Sequence, residues 1–153
     1  MCKPLTFWTL FILSVSTTAQ AGILLEKVNY PGFVMDSYAA TKHCAIHDNG
    51  QLSLDYQLTD LYSKQSLPLK FSRAAIKNKI ALADTGTINT EIFPVDANTV
   101  IYRAYLKQSD ASIKTVLLYE ENGGSGQKHS NTSEAAITLK NFIDLNCEGS
   151  IKY

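Results

Sequence analysis

The chain holds 153 residues, and its 14 Lys+Arg balance 14 Asp+Glu. It is 45% hydrophobic and 18% charged, too apolar for a disordered chain and of a length that suits one domain of roughly 100–200 residues. Balanced charge excludes the strong basic field of a dedicated nucleic-acid binder, and 3 Cys are too few for a disulfide-dense miniprotein.

Residues 1–21 read as a secretory signal peptide. Lys3 supplies the positive start, Leu5–Val15 the apolar run, and Ala19-Gln20-Ala21 a small-residue cleavage pattern. The run falls well short of the roughly 20 residues that a spanning helix needs. Residues 22–153 are then expected to form a single globular domain, secreted or periplasmic, with no membrane span in the mature chain.

Cleavage removes Cys2 and leaves Cys44 and Cys147. Two half-cystines in an exported domain most economically form one disulfide. It would tie an early strand to the segment after the last helix, closing a loop of roughly 100 residues worth about 4–5 kcal/mol of chain entropy.

In chain order, Ile23–Val28 offers an optional leading edge strand, ended by the Pro31-Gly32 turn signal. Lys42–His47 and Gln51–Leu58 read as strands. In the second, Leu52, Leu54, Tyr56 and Leu58 alternate with polar residues, the period of a half-buried strand. Asp48-Asn49-Gly50 between them is a hairpin signal. Ser72–Asp84 reads as a helix, with Ala75, Ile76, Lys79, Ile80 and Ala83 on one stripe, Ser72 as cap and Gly86 as terminator. Pro94 argues against a central strand in the mixed stretch 85–98.

Val100–Leu106 and Ile113–Tyr119 are rich in β-branched and aromatic residues, and the polar Lys107–Ser112 between them suits a hairpin. Glu120–Ser130 reads as the longest polar, glycine-bearing loop. A final helix is expected over Thr132–Leu145, with Ala135, Leu139, Phe142 and Ile143 as its stripe and an Asn131/Glu134 capping arrangement. Hairpins separated by one-sided helices predict an α+β domain: an antiparallel sheet of four to five strands with two helices packed on one face and one disulfide.

His43 and His47 lie four positions apart on a predicted strand, where they are separated by roughly 13 Å. That exceeds what two ligands about 2.0–2.1 Å from one zinc ion can span, so they read as solvent-facing polar residues. Gly123-Gly124-Ser125-Gly126-Gln127-Lys128 lacks the spacing of a phosphate-binding loop, which needs Gly-Lys followed by Ser or Thr. Ser125 lacks the second glycine of a nucleophile elbow, because Gln127 stands there. Glu120 and Glu121 point to opposite faces if they lie on a strand. Asn131-Thr132-Ser133 is an N-glycosylation sequon.

With no complete catalytic motif, no cofactor and no metal site are expected. The chain reads as a non-enzymatic binding or inhibitor-like module using the loop 120–130. Gly123, Gly124 and Gly126 would permit close backbone approach, and Gln127, Lys128 and His129 would supply donors. The partner would be an extracytoplasmic protein or a small anionic ligand held near the final helix N-terminus. The alternative is a small secreted hydrolase or metal-dependent enzyme using His43, His47 or His129 with nearby carboxylates.

Overall fold

A computed structural model describes residues 22–32, 39–58, 61–93, 95 and 98–148. The expected signal peptide lies outside the described residues. The elements are β1 (Ile23–Tyr30), β2 (Ala40–His47), β3 (Gln51–Leu58), β4 (Leu61–Pro68), α1 (Arg73–Asp84), β5 (Ile88–Ile92), β6 (Thr99–Lys107), β7 (Ile113–Asn122), β8 (Gln127–Asn131) and α2 (Glu134–Glu148). The strands form one sheet in the order β4-β3-β2-β1-β6-β7-β8-β5, and every neighbouring pair is antiparallel.

The expectation of four to five strands is therefore corrected to eight. The additional strands are β4, β5 and β8. β4 and β5 are the two edges, and every residue of both is exposed. A strand with neither face buried carries no apolar alternation, so LYSKQSLP and INTEI give no strand signal. Segment 120–130 is not one loop. It is the end of β7, a turn at residues 123–126, and β8. Gly126 adopts φ +63°, and its N–H donates to the Asn122 carbonyl to close that turn.

β1 is likewise not an edge strand. It lies at the centre, between β2 and β6, and buries Leu24, Leu25, Glu26 and Val28. Its two charges, Glu26 and Lys27, point to opposite faces and are both paired. The β2–β3 hairpin forms as expected. Gly50 takes φ +82°, while the Gln51 N–H donates to the Asn49 side-chain oxygen.

α1 begins where Ser72 Oγ accepts the Ala75 N–H, and it buries Ile76, Ile80 and Ala83. α2 is capped by Ser133, whose Oγ accepts the Ala136 N–H at 3.2 Å. Asn131 stands one layer back: its Oδ1 accepts from the Ser133 N–H and hydroxyl. The Asn131/Glu134 capping arrangement is thus replaced by a Ser133 cap. α2 also continues a turn beyond Leu145. Cys147 therefore sits inside the helix, on the stripe of Leu139 and Ile143, and is bonded to Cys44 of β2.

Both helices share one core with the sheet face of Leu25, Cys44, Ile46, Leu52, Ala104 and Val116. Leu25, Ile46, Ile80, Leu139 and Ile143 are fully buried there. The helices lie against β1, β6 and β7.

Candidate functional site

The glycine segment is internally bonded. The Gly123 N–H donates to Thr99 Oγ1, those of Gly124 and Ser125 to Asn122 Oδ1, and that of Gly126 to the Asn122 carbonyl. Gln127, Lys128 and His129 lie on β8, which β5 covers from outside. Lys128 Nζ pairs with Glu91 Oε2 at 3.0 Å, and His129 Nδ1 hydrogen-bonds Thr90 Oγ1 at 2.9 Å. The N–H groups of the turn are therefore taken up by Thr99 and Asn122 and are not presented as an anion cradle. The sequon asparagine is also buried: Asn131 Nδ2 donates to the Ala83 and Leu117 carbonyls.

The three histidines do not converge. His47 hydrogen-bonds Ser53 Oγ at 3.0 Å, His129 belongs to the β5–β8 edge, and His43 joins a row of charges on the sheet face opposite the helices. This face follows from the register, because His43 alternates with Cys44 and stands opposite Asp55. Lys64 of β4 stands opposite the same Asp55, and Glu26 of β1 stands opposite Arg103 of β6. The row crosses five adjacent strands with alternating sign: Lys64, Asp55, His43, Glu26, Arg103.

Within the row, His43 Nε2 donates to Glu26 Oε2 at 3.3 Å and Nδ1 lies 3.8 Å from Asp55 Oδ2. The Tyr105 hydroxyl donates to Glu26 Oε1, and Arg103 reaches the same oxygen at 3.5 Å. Burial alone would raise the Glu26 pKa, but the His43 and Tyr105 hydrogen bonds and the nearby charges of His43 and Arg103 hold it below the usual range. The Glu26 hydrogen bond, opposed by burial and aided by the Asp55 charge, raises His43 above its ordinary value. Burial and Glu26 push Tyr105 up to about 12. Both ring nitrogens of His43 thus face carboxylates. Among the described residues, no three His, Cys, Asp or Glu side chains group as a metal site would.

The helix side carries a second charged cluster and a concavity. Lys27 Nζ is 2.7 Å from Asp144 Oδ1 and 2.6 Å from Glu148 Oε1, and it lies 5.0 Å from the Tyr102 ring centre. Asp144 also accepts from the Tyr102 hydroxyl and from Lys140. Burial would lower the Lys27 pKa, but its hydrogen bonds to Asp144 and Glu148 raise it, so it stays charged. This ion cluster fixes the last turns of α2 on β1.

Where α2 ends, a cleft of about 500 Å³ opens over the β1–β4 half of the sheet. Its apolar walls are Leu54 and Tyr56 of β3, Leu61 of β4 and the Cys44–Cys147 disulfide. Lys27, Asn29, Lys42, Ser63, Gln65 and Glu148 add polar groups, and His43 and Asp55 complete the lining. The volume falls within the roughly 300–1,000 Å³ of small-molecule sites, which pair apolar walls with a few polar groups. Sequence reasoning missed this site because β4, one of its walls, gives no strand signal. The adjacent charges in the apolar run ILLEKV were the available clue, since charges in a central strand need partners on both faces.

The chain matches no known family model, no curated protein and no solved structure. No described helix is long and apolar enough to cross a membrane.

Proposed function

We propose that the protein is an exported, non-enzymatic binding module that holds a small, predominantly apolar molecule in the cleft beside the Cys44–Cys147 disulfide. The observation that carries this reading is the cleft itself: about 500 Å³, walled by Leu54, Tyr56, Leu61 and the disulfide. Lys27 is already neutralised by Asp144 and Glu148, which favours an uncharged guest over an anion. The dispersal of His43, His47 and His129 favours a contact surface over a hydrolytic centre. Export is supported by the Lys3-led apolar leader and by the disulfide, which suits an oxidising compartment.

The test is fluorescence titration with the neutral probe N-phenyl-1-naphthylamine. Wild type binds it saturably. Leu61→Arg alters a 59% exposed wall residue, so the fold tolerates it. Loss of the apolar contact weakens binding roughly five- to tenfold. Absence of saturable binding, or equal binding by Leu61→Arg, would overturn the proposal.

A further inference from the structure

We propose that His43 makes occupancy of the cleft proton-dependent, the protonated ring bracing the β3–β4 wall against the centre of the sheet. This inference rests on the cleft reading above and concerns its regulation. His43 borders the cleft along β2, while its ring sits mid-row on the opposite face, between Glu26 of β1 and Asp55 of β3. The Glu26 side chain is only 8% exposed and the His43 ring 30%, so water screens their contact weakly. Beyond His43, the row continues through Asp55 to Lys64 of β4, 3.8 Å away. On the other side, Glu26 is held by Arg103 and Tyr105 of β6. These are the titratable and charged groups that face the ring and its partners among the described residues.

The consequence follows from charge. With His43 protonated, each carboxylate in the row lies between two cations, and β4 is linked electrostatically to β6 through five side chains. With the ring neutral, Glu26 and Asp55 flank an uncharged group. Asp55 Oδ1 is buried without a hydrogen-bond partner, which leaves the longer Lys64 ion pair as the other charge facing this carboxylate. The strands that lose this brace, β3 and β4, carry the cleft walls Leu54, Tyr56 and Leu61. Because the folded-state pKa of His43 is raised, the contribution of the protonated ring is complete below its ordinary 6.5 and disappears as pH rises through the higher folded-state value.

The experiment measures N-phenyl-1-naphthylamine affinity, melting temperature and the His43 imidazole NMR titration at pH 5.5–8.5, in wild type, His43→Gln and Asp55→Asn. In wild type, affinity falls roughly two- to fivefold across the His43 transition, the size of one partly exposed ion pair. Melting temperature falls with it. Both variants fold, as their melts at pH 5.5 show, and bind the probe with no such step. Wild-type affinity that is flat with pH, or a His43 pKa at or below 6.5, overturns the proton link and leaves the cleft reading standing. Failure to bind the probe at every pH overturns both.

Discussion

Replacing both half-cystines, as Cys44→Ala/Cys147→Ala, tests how the fold is braced. The bridge spans 103 residues and ties the end of α2 to β2, next to the central strand. Chain entropy for a loop of about 100 residues gives roughly 4.7 kcal/mol at 25 °C. The native state keeps other ties between α2 and the sheet, namely the Lys27–Asp144 pair and the buried Leu139 and Ile143. The double variant should therefore still fold, less stable by about 3–5 kcal/mol. Urea unfolding followed by circular dichroism reads this directly. The denaturant slope should also rise, because an uncrosslinked unfolded chain exposes more surface. A loss below about 1 kcal/mol with an unchanged slope would refute the reasoning, since it would mean the bridge barely restricts the unfolded chain.

Lys27→Met removes the cation from Asp144 and Glu148. A loss of about 1.5–3 kcal/mol is expected in chemical denaturation, because Lys27 is only 14% exposed and its hydrogen bonds are charge-assisted. The double-mutant cycle with Asp144→Asn should show coupling of at least about 0.5 kcal/mol. Gly86→Ala would set a Cβ 2.1 Å from Asn131 Oδ1, the atom that orders the Ser133 cap of α2. Calorimetry should find it destabilised by about 1–3 kcal/mol, the usual range for overpacking.

Sequence legibility followed burial. Gln51–Leu58 was readable because Leu52 and Leu54 meet the core while the polar Ser53, Asp55 and Gln57 alternate with them on the other face. α1 was readable because Ile76, Ile80 and Ala83 repeat at helical spacing under a serine cap. β4 and β5 gave no pattern because edge strands are held by backbone hydrogen bonds, which any side chain permits. β8 read as loop because its Gln127, Lys128 and His129 are polar. Two of them find polar partners on β5, Glu91 and Thr90. The disulfide was legible because Cys44 and Cys147 are the two cysteines outside the expected leader. The cleft was not, since its walls join β2, β3 and the unsignalled β4 to the end of α2, which lies far along the chain from them.

The most direct test of the cleft is a two-dimensional NMR titration of the oxidised protein with N-phenyl-1-naphthylamine. Saturable shifts should concentrate on Cys44, Leu54, Tyr56, Leu61 and Cys147. Shifts confined to the turn at residues 123–126, or no saturable shifts, would contradict the account.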